Sequence, residues 1–277
     1  MEAWNETLYS GGNVIKEIRH HFSVYKMFVS TSFSQSMSFR LNFFLLILMD
    51  IFFYFSSLMT VNFIFDHVQT IGPWNKEQLM FFISFMLCVE HLHMTLISES
   101  FWVLPRDIKS GNMDFTLLKP ISSIFNCFFR YIRTSSICNI VVVWACLIYF
   151  GRKVELDLIA WISLPFLVLL GFTLLAILEF IISTSMFWMT EGMGINFLRM
   201  QFQNLSRWPN FIYASLSRKV FTVAVPILLI GSAPVHFLLD HSAWDYLLYL
   251  ITAILISFCV LKFVWKMAIN QYESASS

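Results

Sequence analysis

The chain has 277 residues, 58% of them hydrophobic and 13% charged, with a formal net charge of +1. Soluble domains carry about 25% charged residues, so a water-soluble fold of this length has no means of hiding so much apolar side chain, and lipid is the remaining solvent. The near-zero charge gives no bulk electrostatic signal for nucleic acid, and the five cysteines (Cys88, Cys127, Cys138, Cys146, Cys259) all fall inside apolar blocks with no CxxC among them.

In chain order, the first predicted element is an amphipathic helix within residues 1–38. Ile15, Ile18, Phe22, Tyr25 and Val29 recur at helical spacing, while Lys16, Glu17, Arg19, His20, Ser23 and Lys26 occupy the other faces. Such a helix suits a membrane interface. No apolar core precedes it, so the N-terminus does not read as a cleaved signal peptide. A transmembrane helix needs about 20 mostly apolar residues. Six candidates follow, at about 41–65, 79–102, 124–150, 158–188, 219–239 and 244–265, leaving 266–277 as a tail. The fold class is therefore all-α and polytopic. The fifth candidate is interrupted by Pro226, Gly231 and Pro234. An interior proline breaks or kinks a helix, so a span ending near Ile230 is expected, followed by a short helix or re-entrant turn on the outer side; a single kinked span is the plainer alternative.

Basic residues orient the spans. With the N-terminus in the cytoplasm, 15 of the 18 Lys and Arg residues lie on inner segments or inner helix ends, and only Lys76, Arg152 and Lys153 lie outside. Both termini and the polar run Ile108–Pro120, "IKSGNMDFTLLKP", are thus predicted to be cytoplasmic.

None of the nine glycines is followed by Lys and then Ser or Thr, so the usual phosphate-binding loop is absent. Any ATP that powers the protein must be bound by another chain. The cluster "CVEHLHMTLISES" invites a metal reading, but His91 and His93 sit about 200° apart on a helix and cannot share one ion; no metal is expected. Glu90 and His93 are three apart and are expected to pair on one face. Asp50 and Glu90 lie near the membrane middle, where carboxylates are expensive and face a bundle interior or a cavity. They and His93 are candidate pathway or gate residues, with interhelical polar contact as the plainer reading. Glu179 and Glu191, with Arg130 and Arg133, are expected to form ion pairs or to snorkel at the inner interface.

Three motifs carry a family resemblance. "IKSGNMDFTLLKP" resembles the cytoplasmic signature of ATP-binding-cassette permeases of the type-2 exporter class. It is similar to a six-span bacterial subfamily with a loop of the form I-R-x-G-x-L-D-x-x-L-L-K-P. Ile108, Gly111, Asp114, Leu117, Leu118, Lys119 and Pro120 match that form, whereas Lys109 and Met113 depart mildly from it. "TIGPWNKEQL" resembles the Ile-Gly-Gly-Trp segment before the family's second span, with Pro73 in place of the second glycine. The proline-punctuated fifth block is similar through Pro209, Pro226 and Pro234.

The resemblance implies an N-terminal elbow helix, six spans and a cytoplasmic coupling element between the second and third. It implies a non-catalytic permease subunit that pairs with a second, identical or homologous, permease and with two separate ATPase subunits. Those subunits would bind ATP and Mg, and this chain would need no cofactor. The location implied is a bacterial inner membrane. Pro105, Arg106, Ile108, Lys109, Gly111, Asp114, Leu117, Leu118, Lys119 and Pro120 become ATPase-coupling residues. Pro105 is expected to start the coupling helix, Gly111 to end it in a left-handed conformation, and Pro120 to stop helix continuing into the third span. The aromatic-rich spans favour a lipophilic or amphipathic substrate. Two other classes compete. An ion-coupled transporter or channel would use Asp50 and Glu90 on its own. A membrane-embedded transferase would gather His, Asp and Arg at one interface, where this sequence scatters them.

Overall fold

The computed structural model describes residues 14–189 and 192–272, apart from the side chains of residues 14–18. Glu191, and the side chains of Ile15, Lys16, Glu17 and Ile18, therefore lie outside the described residues. The described chain is helical, with one isolated bridge between Ile71 and Trp74. In chain order the helices are α1 (Val14–Ser38), α2 (Arg40–Phe65), α3 (Lys76–Leu96), α4 (Ser98–Lys109), α5 (Asn112–Leu117), α6 (Ser123–Phe129), α7 (Thr134–Ile137), α8 (Ile140–Lys153), α9 (Leu158–Thr184), α10 (Met193–Ser206), α11 (Ser215–Lys219), α12 (Leu229–Leu239) and α13 (Trp244–Gln271). Four stretches are long and apolar enough to cross a membrane: Arg40–Phe65, Lys76–Lys109, Leu158–Trp188 and Trp244–Gln271. A fifth is counted if Ser215–Ala224 and Leu229–Leu239, bent by 97°, are one broken span.

The central helix is α3, whose side chains are almost all buried between α2, α8, α9 and α12. It starts cleanly for a local reason. Gly72, at φ +58°, turns the chain tightly, and Asn75 then caps the helix: its side chain accepts from the Gln78 N–H while the Gln78 side chain accepts from the Asn75 N–H. Trp74, released by the same turn, packs against Phe82, Phe211 and His236. Following the charge distribution, the Trp74 side is called outer below.

The third expected span is not one helix. Residues 124–150 fall into α6, α7 and α8. The polar run Arg130–Ser136 turns inward there, and its backbone leaves the helical pattern: Ile132 N–H donates to Ser32 Oγ and Arg133 N–H to the Thr95 carbonyl. The break is the cost of bringing Arg133 and Ser136 to Asp50.

The fifth block departs from expectation as well. Its first part, α11 and one π-helical turn (Val220–Ala224), begins at the outer side, because Arg218 donates to the Phe211 and Tyr213 carbonyls and Phe211 packs on Trp74. Arg218 and Lys219, predicted to be inner, therefore lie by the outer turn. The chain then reverses at Val225, whose extended ψ of 89° is what the following Pro226 demands. Helix α12 starts deep, against the middle of α3 and α9, and ends at the outer His241. Gly231 makes the deep start possible, since a Cβ there would come within 2.9 Å of the Phe82 ring. Pro234 has no N–H for the Ile230 carbonyl. That carbonyl faces α9 at Gly171, where a Cβ would stand 2.8 Å from it.

Candidate functional site

The loop residues singled out in the sequence form a helical corner. Pro105 does not start a helix; it lies inside α4. The helix survives because the Phe101 carbonyl, deprived of its donor by Pro105, accepts instead from Asn196 Nδ2 of α10 at 2.8 Å. Gly192, just before α10, lets the two elements close up: a Cβ there would meet Pro105 Cβ at 2.7 Å. Gly111 adopts φ +75° and both ends α4 and opens α5, in whose first turn Asp114 stands. Met113 is buried against Cys127 of α6, while Ile108 and Leu117 pack on the apolar core. Phe115 and Leu118 stay 68% and 78% exposed. Lys119 and Pro120 form the turn to α6, with the Ile121 N–H donating to the Lys119 carbonyl. Burial lowers the tendency of the Lys119 amine to stay protonated. An open cavity of about 360 Å³ lies between Pro105, Arg106, Lys109, Ser110, Gly192 and Met193.

Among the described residues three carboxylates are buried, Asp50, Glu90 and Glu179, and each is paired. Asp50 on α2 accepts from Arg133 Nη2 at 2.9 Å and from Ser136 Oγ at 2.8 Å. Glu90 on α3 accepts from Arg207 Nε. Glu179 on α9 accepts from Arg199 Nη1 at 2.8 Å, and its other oxygen lies 2.6 Å from His93 Nε2. His93 Nδ1 faces Gln203 Nε2 at 3.4 Å, and its Nε2 also lies 3.4 Å from Arg199 Nη1. The Arg199 guanidinium lies 4.1 Å from the centre of the Phe101 ring.

Three expectations are corrected here. Glu90 and His93, though three apart on α3, do not pair; each turns to a different partner. Glu179 does not snorkel at an interface, being 1% exposed. Arg133 pairs across the fold to α2 rather than with a glutamate. The element that sequence reasoning missed is α10. Asn196, Arg199, Gln203 and the following Arg207 recur at spacings of 3, 4 and 4 on its inward face, while Phe197, Leu198 and Met200 point outward. The polar face is buried and the apolar face exposed, the arrangement of a helix solvated by lipid rather than water. Pro226, Gly231 and Pro234 lie at and just after the deep reversal that begins α12. An exposed ion pair holds the outer end of α12: His241 Nε2 lies 2.8 Å from Asp157 Oδ1, and Asp157 also caps α9 through the Ala160 N–H.

Long apolar helices and carboxylates paired with arginines in the protein interior define an integral membrane protein. The family described as ABC-2 family transporter protein matches residues 51–276, most of the chain, and the chain belongs to that family. It is thus a multi-pass permease component of an ATP-binding-cassette transporter, a class that works with ATPase partners. No curated protein and no solved structure matches it.

Proposed function

We propose that the chain forms half of the translocation pathway of an ATP-driven exporter in a bacterial cytoplasmic membrane, with both termini cytoplasmic and a second permease, identical or homologous, as its other half. Separate ATPase subunits bind ATP and Mg and carry out hydrolysis; this chain contributes no catalytic group and no cofactor. The cargo is lipophilic or amphipathic. In this reading α1 is the interfacial elbow. Helix α10 supplies the fifth crossing, running from Pro105 at the inner side to Glu90 in the middle, and residues 215–239 re-enter from the outside.

One observation carries the proposal: the α4–Gly111–α5 corner. It is anchored from behind by Met113, Ile108 and Leu117, and it presents Phe115 and Leu118 outward beside charged neighbours. Apolar tips within a charged rim suit a socket on a partner, the charges fixing register. The corner is also tied to the interior, because Asn196 and Gly192 grip α4 at Phe101 and Pro105. A push on the corner would reach α10. The stand-alone ion-coupled alternative, using Asp50 and Glu90, has less support, since both carboxylates are engaged by arginines.

The test is co-purification. The tagged chain should bring down an ATPase subunit from its native membrane, and Gly111→Val or Asp114→Lys should remain in the membrane while weakening that association or uncoupling ATP hydrolysis from transport. A β-branched residue at φ +75° is a steric outlier costing on the order of 1–3 kcal/mol, enough to reshape the corner without unfolding the spans. A chain that never retains an ATPase, or variants that assemble and turn over normally, would refute the proposal.

A further inference from the structure

Arginines neutralise the three carboxylates buried between the helices, but the arginines are not equivalent. The side chains of Arg199 and Arg133 are 3% and 14% exposed, whereas that of Arg207 is 36% exposed. Arg207 Nε donates to Glu90, and its guanidinium lies 4.9 Å from the centre of the Phe53 ring on α2. Among the described residues, no protein acceptor meets its Nη1 or Nη2. A guanidinium carries five N–H donors in a planar fork. Glu90 takes the one at Nε, which leaves the whole Nη edge, with its four donors, facing the open side.

The depth matters. Glu90 lies about 21 Å along α3 from its Lys76 end, taking about 1.5 Å per residue. At that level water is scarce, and unsatisfied donors are strongly disfavoured. The outward face of α2 beside it is apolar, with Met49, Phe52 and Phe55 all exposed, while Ser56, one turn after Phe53, is exposed on the nearer side. The result is a planar donor fork at the edge of a greasy face.

We propose that the Nη edge of Arg207 binds the anionic oxygen head of an amphipathic molecule, a carboxylate or phosphate, whose tail lies along the exposed face of α2. In calling that molecule cargo, the proposal rests on the permease reading above and gives it a substrate class. Two parallel N–H···O bonds to a carboxylate or phosphate are the geometry a guanidinium edge favours. Glu90 has a defined part as well. Its charge keeps the empty site neutral and opposes an arriving anion, so the head is held loosely enough to be released.

The experiment uses the purified full chain in phosphatidylcholine nanodiscs, without ATP or ATPase. Binding of dodecyl phosphate and dodecanoate is compared with that of dodecanol and dodecyltrimethylammonium. The anionic probes should bind saturably and about tenfold more tightly than the other two, as a charge-assisted fork requires. Glu90→Gln, which removes the opposing charge, should tighten the anionic probes severalfold. The double variant Glu90→Gln/Arg207→Gln, which leaves no unpaired carboxylate to unfold the protein, should lose the anionic preference altogether. Equal binding of all four probes, no tightening in Glu90→Gln, or a preference that survives in the double variant would each overturn the proposal. Replacing part of the phosphatidylcholine with phosphatidylglycerol then assigns the source of the head. Competition identifies a bilayer lipid and undiminished binding a free amphiphile, and both support the anion site. Because no ATPase is present, failure here leaves the permease reading standing, and failed ATPase co-purification leaves this site standing.

Discussion

Replacing Arg199 with Gln tests whether the buried network around α10 carries the stability of the inner half. Arg199 and Glu179 are 2% and 1% exposed, with Nη1 and Oε1 2.8 Å apart. At an effective dielectric of about 20 their attraction is about 6 kcal/mol, most of it offset by desolvation of the two charges. Removing one partner of such a pair leaves the other charged and buried, which costs about 3–5 kcal/mol. Loss of the guanidinium from the Phe101 face adds about 1 kcal/mol. His93 Nε2 stays within 2.6 Å of Glu179 and recovers part of this. The expected loss is therefore about 3 kcal/mol, a large share of a total of about 5–15 kcal/mol. Glu179→Gln/Arg199→Gln removes both charges and should lose less than the single variant. The assay is reversible unfolding in mixed micelles with increasing dodecyl sulfate, followed by far-UV circular dichroism. A loss below about 1 kcal/mol for Arg199→Gln, or a double variant less stable than the single one, would refute the reasoning from uncompensated buried charge.

Three further outcomes follow from the packing and the outer ion pair. Gly171→Val should force α12 away from α9, since even the Cβ would stand 2.8 Å from the Ile230 carbonyl; a destabilisation of about 1–3 kcal/mol is expected for overpacking, read as a lowered thermal midpoint. Asn196→Leu should orphan the Phe101 carbonyl left without a donor by Pro105, at a cost of about 1–3 kcal/mol, while Asn196→Gln tests whether an amide at longer reach rescues it. The third outcome concerns His241. Its pKa is raised above 6.5, first by the hydrogen bond to the Phe237 carbonyl and then by Asp157. The Asp157 pKa is lowered below 3.8, first by the Ala160 N–H and then by His241. A raised histidine stabilises fully below its unfolded pKa and loses that contribution as pH rises through its folded value; a lowered aspartate stabilises above its unfolded pKa and loses it as pH falls through its folded value. The pair should therefore contribute fully between about pH 4 and pH 6.5. The thermal midpoints of wild type and His241→Asn should differ in that window and converge at alkaline pH, and a difference that stays constant from pH 6 to pH 9 would refute it.

Much of the scaffold was legible in the chain order of residues. Lipid as solvent follows from composition, and the extents of α2, α9 and the start of α13 follow from apolar runs, because a spanning helix satisfies its backbone locally. The left-handed Gly111 was legible for the same reason, a local steric rule needing no partner. The paired carboxylates were legible only as expensive positions. Their partners lie 83 residues away for Asp50, 117 for Glu90 and 20 for Glu179, and of those arginines the sequence singles out only Arg133 as an ion-pairing charge, at an interface rather than in the core. Helix α10 did leave a trace, a polar stripe at helical spacing on an otherwise apolar segment. It was obscured because Pro226, Gly231 and Pro234 drew the fifth span toward the re-entrant segment.

Sequence by itself determined the solvent, the all-helical class, the family motifs and the positions where the backbone must turn, since each depends on composition or on neighbours a few residues apart. Tertiary structure alone decided which helices break and which charges meet. The polar run Arg130–Ser136 lies between apolar stretches that read as one helix, and it leaves the helix only because Asp50 awaits it on α2. Pro105 sits inside α4 only because Asn196 answers the carbonyl it frees. Both outcomes depend on burial in a low-dielectric interior, where an unpaired polar group costs more than a broken helix, and that cost exists only once the distant partner has been brought within hydrogen-bonding reach.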